Sequence, residues 1–210
     1  MIAIIDYNAG NLTSVARAVS HLGFQCLVTN DLEKIRNAER IIFPGVGAAG
    51  SAMESLKQFG LDTAIRDVFE AGKPVLGICV GTQIIMAHSD ENDTPCLGIF
   101  KGKTRAFPTD IRSEDGSPLK IPHMGWNRIH IRKAHPVLAD VGDADEFYFV
   151  HGFFPAPEDA EHVIAETDYD IHFASVIGFE NIIATQFHPE KSGRPGLALL
   201  KNFCEWEPAC

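Results

Sequence analysis

The chain has 210 residues, 28 acidic against 18 basic side chains, and a formal net charge of −10. That length suits one domain spanning residues 1–210, with a core large enough to need no disulfide or metal staples. So acidic a chain is poorly matched to nucleic acid or to an anionic membrane surface, since both require a positive field. Five cysteines, Cys26, Cys79, Cys96, Cys204 and Cys210, are widely spaced, odd in number and free of any C-x-x-C. They predict neither a disulfide framework nor a metal site, and nothing else in the sequence asks for a cofactor. Reduced thiols point to a cytoplasmic protein. The chain opens on Ile2-Ala3-Ile4-Ile5 without a basic leader, and no apolar run approaches a membrane span.

In chain order, Ile2 to Tyr7 reads as a buried strand and Asn8 to Asn11 as a turn. Leu12, Val15, Val19 and Leu22 form one helical stripe, which Gly23 is placed to end. Cys26 to Thr29 and Arg40 to Phe43 are the next strands. Leu61, Ile65 and Val68 mark a helix closed by Gly72, and Pro74 to Ile78 is a further strand. This order predicts a doubly wound, mostly parallel sheet with helices on both faces. In the second half Arg128 to Arg132 alternates strictly, and Glu146 to Val150, Val163 to Thr167, Ala174 to Ile177 and Ile182 to Gln186 read as strands. Short turn-rich links predict antiparallel additions to the sheet. Asp110 to Pro118 reads as a hairpin tip, and Leu197, Leu200 and Phe203 as the stripe of a last helix.

Three segments carry chemistry. Gly77-Ile78-Cys79-Val80-Gly81 ends a strand and opens a helical pattern, Val80 to Ala87, as a nucleophile elbow does. A thiol on such a turn gains reactivity from the helix N-terminus, and the Val80 N–H becomes one donor for an oxyanion. Alone, the motif is more often a buried structural cysteine. Gln186-Phe187-His188-Pro189-Glu190 supplies a base and a carboxylate. Pro189 favours an extended His188, so Glu190 shares its side and can fix the imidazole. Pro44-Gly45-Val46-Gly47 follows a strand and can supply the second oxyanion N–H. Gly45 to Gly50 also matches G-x-G-x-x-G, but a dinucleotide site there lacks a partner acidic residue ending the next strand.

Together these segments resemble the class I glutamine amidotransferases, whose fold is flavodoxin-like. The narrower resemblance is to the glutaminase subunits of imidazole glycerol phosphate synthases. It rests on Asp6 to Leu12, Pro44 to Gly47, Pro122 to Asn127, Phe147 to His151 and Gln186 to Gly193. The resemblance implies glutamine as substrate, hydrolysed to glutamate and ammonia. It also implies a heterodimer with a (β/α)8-barrel cyclase that uses the ammonia in histidine biosynthesis. Carried over by position, Cys79 is the nucleophile, His188 the acid/base and Glu190 its orienter. Val46, Gly47 and Val80 form the oxyanion site. Gln83, Glu91, Gly47, Gly152 and Phe153 hold the amino-acid end of glutamine, and Asn11, Trp126 and Lys191 face the cyclase. Two positions depart from the family pattern: Thr82 after the nucleophile, and Gly152-Phe153 after His151. They keep two alternatives open: a paralogue feeding another synthase, such as a sugar-modifying enzyme, and a dormant regulatory subunit. A third alternative, independent of them, is a stand-alone cysteine amidase or peptidase on a similar fold.

Overall fold

The computed structural model describes residues 1–113 and 115–208; Cys210 lies outside them. The first half alternates as β1 (Ile2–Ile5), α1 (Leu12–His21), β2 (Cys26–Thr29), α2 (Leu32–Asn37), β3 (Arg40–Gly45), α3 (Ala49–Phe59), α4 (Leu61–Glu70), β4 (Val75–Cys79) and α5 (Val80–Ile84). Every residue of β1, β3 and β4 is buried, as strands covered on both faces must be. Each fully buried Ile or Leu there contributes roughly 1.5–3 kcal/mol of transfer free energy.

Gly23 and Gly72 end their helices as the sequence predicts. Both adopt positive φ, +87° and +72°. Each lets the next N–H reach back a turn: Phe24 to the Val19 carbonyl at 3.3 Å, Lys73 to the Val68 carbonyl at 3.2 Å. Those bonds satisfy carbonyls that a helix end otherwise leaves orphaned. The six-residue α2 has too few turns to show a stripe; Asp31 starts it by accepting from the Glu33 and Lys34 N–H groups.

The second half contains β5 (Met86–Ser89), β6 (Thr94–Pro95), β7 (Phe100–Ala106), β8 (His123–Arg128), β9 (His130–Ile131), β10 (Glu146–His151), β11 (Phe153–Pro157), β12 (Val163–Tyr169), β13 (Ile171–Phe179), β14 (Ile182–Thr185) and α6 (Gly193–Glu205). The main sheet has eight strands in the order β2-β1-β3-β4-β14-β13-β12-β9. Its β2, β1, β3, β4 and β14 are mutually parallel, and β13, β12 and β9 follow β14 with each strand antiparallel to the one before it.

Three expectations need correction. The helix after Cys79 stops at Ile84, not Ala87. The Ile84 and Ile85 carbonyls accept from the Leu97, Ile99 and Phe100 N–H groups instead of continuing the helix. The Arg128–Arg132 strand is broken at Ile129, where the chain passes from one sheet to another. Ile129 is therefore buried (3% exposed) and Ile131 open (38%). Finally, β10 does not join the main sheet. It pairs antiparallel with β8 as a separate ribbon, while β11, β7, β5 and β6 form a third sheet.

The ribbon sits on the core through its inner face. Phe147 and Phe149 are fully buried, with ring centroids 4.2 and 5.5 Å from Phe187. Arg40, buried at the start of β3, donates to the carbonyls of Phe203 (2.9 Å) and Trp206 (2.8 Å) at the end of α6. Within the Asp110–Pro118 stretch, read as a hairpin tip, an antiparallel bridge joins Arg112 to Pro118, and Glu114 lies outside the described residues.

Candidate active site

Strands β3, β4 and β14 end at one edge of the sheet, where parallel folds place their ligands. Cys79 is the last residue of β4. Its backbone is at φ 54° and ψ −105°, positive φ in a residue with a side chain. Such a conformation costs about 1–3 kcal/mol and persists only where its surroundings impose it. The flanking glycines do not themselves take positive φ. A side chain on Gly81 would collide with the Phe43 carbonyl, and one on Gly77 would lie 2.9 Å from the Ala184 methyl. Their bareness lets α5 lie tightly over β3 and β4, with Ala184 of β14 close beside, and that packing holds Cys79 in its strained turn.

β14 delivers the second group. Gln186 and His188 are both fully buried. His188 is extended (φ −100°, ψ 94°), as Pro189 requires, but residues 189–191 then close into a 3-10 turn. This turn, rather than a continued extended strand, brings Glu190 under the ring. His188 Nδ1 donates to Glu190 Oε1 at 2.8 Å, and Asn11 Nδ2 donates to the same oxygen at 3.0 Å. The His188 carbonyl accepts from Ser192 Oγ at 2.6 Å, and that hydroxyl accepts the Tyr148 N–H at 3.0 Å. The histidine turn is thereby tied to the ribbon.

Burial alone would lower the His188 pKa. The neighbouring Cys79 sulfur and Glu190 carboxylate outweigh it and raise the pKa to about 9. Burial likewise pushes Glu190 up, and His188 and Asn11 bring it below the usual carboxylate value. His188 Nε2 has no hydrogen-bond partner. Gln186 Nε2 lies 3.8 Å from Cys79 Sγ, and its Oε1 accepts from Gln83 Nε2 at 3.2 Å.

A cavity of about 310 Å³ opens over Cys79 and His188. Its walls include Val46, Gly47, Val80, Gln83, Glu91, Gly152 and Phe153, every residue expected at the oxyanion or the amino-acid end of glutamine. Gln83 Nε2 donates to the Phe153 carbonyl at 3.0 Å. Glu91 Oε2 accepts the Ala49 N–H at 2.6 Å. That bond sets a carboxylate at the start of α3, whose negative charge opposes a phosphate there and argues against the dinucleotide alternative.

Of the three positions expected to face the cyclase, one lies elsewhere. Asn11 is buried (4% exposed) and its amide binds Glu190, so it sits beside the His188–Glu190 pair rather than on an open face. Trp126 is 55% exposed on the outer face of the ribbon, 6.0 Å from the Tyr148 ring. Lys191 Nζ lies 5.9 Å over that same ring. Met124, 63% exposed, extends this face. Thr82 is fully buried and its hydroxyl donates to the Thr185 carbonyl at 2.6 Å, so this departure sits in the core and not in the cavity. The residue reading missed Pro122, Val150 and His151 in the cavity wall. It also missed Gln186 beside the sulfur and Tyr7, whose buried hydroxyl has no partner and whose ionisation burial and Cys79 suppress. Polar residues on buried strands were the available signal.

The sequence profile of glutamine amidotransferase class-I matches residues 3–206. The chain belongs to that family. Among its relatives is imidazole glycerol phosphate synthase subunit HisH of Nitratidesulfovibrio vulgaris (strain DP4), 53% identical over 97% of this chain and 95% of that one. The protein of the same name from Neisseria meningitidis serogroup B is 44% identical over 97% and 99%. The fold also matches solved structures of low identity. That of PurLQS from Thermotoga maritima has TM-score 0.71 at 17% identity, over 97% of each chain. The glutaminase domain of Trypanosoma brucei CTPS with bound acivicin has TM-score 0.65 at 13% identity, over 99% and 95%. As a class I amidotransferase the chain is a glutaminase-type enzyme. No helix among the described residues is long and apolar enough to cross a membrane, and they contain no cluster suited to a metal ion.

Proposed function

We propose that this chain is the glutaminase subunit of an imidazole glycerol phosphate synthase, a single amidotransferase domain acting on glutamine. The observation that carries the reading is the cavity that gathers the strained Cys79, the Glu190-bound His188 and all seven expected substrate-contacting residues. Relatives bearing that subunit name at 44–53% identity support it.

In this reading the Cys79 thiolate attacks the side-chain carboxamide of glutamine. The Val80 N–H and one from the Val46–Gly47 stretch stabilise the oxyanion; losing one such donor costs about 2.7–4 kcal/mol. His188, positively charged near neutral pH, gives a proton to the departing ammonia and then takes one from the water that hydrolyses the glutamyl thioester. Glu190 holds the imidazole by Nδ1 and offsets its charge, and Asn11 holds Glu190.

The ammonia goes to a (β/α)8-barrel cyclase bound as a heterodimer partner. Trp126, Lys191, Tyr148 and Met124 offer that partner an amphipathic face on the ribbon, next to Val150 in the cavity wall. The protein works in the cytoplasm, where its four described cysteines remain thiols. The buried, bonded Thr82 favours no dormant form.

The deciding assay is glutamine hydrolysis by the purified chain, alone and with a barrel cyclase carrying its substrate analogue. Hydrolysis should rise on complex formation and vanish in Cys79→Ala, which should still bind the cyclase. Hydrolysis that persists in Cys79→Ala would sink the nucleophile assignment. A chain that hydrolyses glutamine but ignores the cyclase would point to another ammonia acceptor.

A further inference from the structure

Two buried histidines stand outside the steps above. His123 and His151 face each other directly across the β8–β10 ribbon, on its inner face. His123 Nδ1 and His151 Nε2 are 3.2 Å apart, and His151 Nδ1 is 2.8 Å from the Phe153 carbonyl. At the other end Asn127 Nδ2, which also donates to the Asp168 carbonyl at 2.9 Å, lies 3.4 Å from His123 Nε2. Asn127 Oδ1 is already committed to the Arg128 N–H at 2.8 Å, which fixes the direction of its amide.

These contacts allow one arrangement of protons. An amide N–H facing His123 Nε2 makes that nitrogen an acceptor, so the His123 proton sits on Nδ1. His151 Nε2 must then accept, and the His151 proton sits on Nδ1, directed at the Phe153 carbonyl. Donation runs one way, from Asn127 at the far end to the cavity wall. A second proton on either ring would set two donors face to face. Burial prevents this: it lowers His123 to about 4, and it lowers His151 to about 3 with help from the His123 and His188 charges, against the pull of the Phe153 bond. The rings are also clamped, His123 lying 4.0 Å from Tyr169 and 4.8 Å from Phe149 in stacked geometry.

The end of this chain of bonds is part of the cavity. The Phe153 carbonyl accepts from Gln83 as well, and the Gly152 carbonyl is taken by the Phe107 N–H at 3.3 Å. Ordinary packing would be served by a phenylalanine at either histidine, given the aromatic surroundings. A directed pair of neutral imidazoles does something packing does not, because it fixes the orientation of one carbonyl.

We infer that His123 and His151 are positioning residues: a neutral hydrogen-bond relay that sets the Phe153 carbonyl, and through it the wall that receives the amino-acid end of glutamine. The relay rests on the glutaminase reading and adds a specificity device to it. It acts on substrate binding and leaves the reactivity of Cys79 alone.

The test is covalent labelling of Cys79 in the whole chain, followed by mass spectrometry, with two electrophiles. Acivicin is an amino-acid analogue and needs the substrate site; iodoacetamide needs only the sulfur. His123→Phe keeps the stacking and removes the relay atoms. It should raise the KI for acivicin about tenfold or more, leave the maximal labelling rate within about threefold, and leave iodoacetamide labelling unchanged. His123→Gln can accept from Asn127 and donate to His151, and should bring KI back to within about threefold of wild type. If His123→Phe does not fold, His123→Ala carries the same expectation. An unchanged KI, or an equal fall in labelling by both electrophiles, overturns the relay. A wild-type chain that reacts with iodoacetamide and never with acivicin overturns the glutaminase reading and the relay with it.

Discussion

Strands β4 and β14 lie side by side, run parallel and stop at the same edge of the sheet, yet they present their functional side chains by opposite means. Cys79 is held by strain. Its positive φ is imposed by a helix that packs closely through its own Gly81 and over Gly77, and its sulfur has one long hydrogen-bond contact, from Gln186. His188 is held by bonds. Its backbone is relaxed, and its ring and carbonyl are fixed by Glu190, Asn11 and Ser192. A cysteine set by backbone geometry should depend on empty space around it. A histidine set by hydrogen bonds should depend on charge and polar partners.

The sharpest break of this comparison is on the base side. Glu190→Gln keeps the volume and removes the charge, and glutamine turnover should fall roughly 10²–10⁴-fold. The His188 pKa, followed by NMR, should drop from about 9. The pH window follows from the signs. The raised His188 pKa gives stability that is complete below its ordinary 6.5 and is lost as pH rises through about 9. The lowered Glu190 pKa gives stability present above its ordinary 4.5 and lost as pH falls through the folded value. The stability gap between wild type and Glu190→Gln should therefore be widest between pH 4.5 and 6.5 and close toward alkaline pH. A gap that widens above pH 9 would contradict the pairing.

On the nucleophile side, Gly81→Ala forces a methyl against the Phe43 carbonyl and should cost about 3 kcal/mol or more in denaturant unfolding. Asn11→Ala removes one bond to the carboxylate and should slow turnover about tenfold with little change in glutamine KM. Cys79→Gly should gain about 1 kcal/mol of stability as it loses all activity, because glycine tolerates the positive φ that cysteine does not. A less stable glycine variant would mean the turn stores no strain. The smallest effect belongs to Gly152→Ser. A Cβ there would meet only Ile121, at 3.7 Å, so stability should stay within about 0.5 kcal/mol in the same unfolding assay.

The same contrast explains what the sequence could reveal. The strand ends, the helix-ending Gly23 and Gly72 and the elbow around Cys79 are local, written in glycine placement and hydrophobic runs. What lay beyond reading was set by distant partners. The helix after Cys79 ends early because residues 97–100 take its carbonyls. The alternation at Arg128–Arg132 hides a change of sheet at Ile129. Asn11 is polar, follows a turn and looks exposed, but its partner is 179 residues away. The residues expected around glutamine do line one cavity, which rests on a family resemblance spanning the whole chain. His123, His151 and Ser192 stand inside the segments that carry the resemblance, yet no role could be read for them, because their meaning lies in whom they face.

The central strand has a consequence for how the protein is made. β4, which ends in Cys79, is flanked on one side by β14, residues 182–185, among the last strands to leave the ribosome. Arg40 at the start of β3 waits still longer, for the carbonyls of Phe203 and Trp206. Until then one edge of β4 has its peptide groups unpaired, open to another chain. Contacts this distant in sequence make for slow folding. They also mean that a nascent or truncated chain holds Cys79 without His188 beside it, so the two side chains meet only once residues 182–188 have docked.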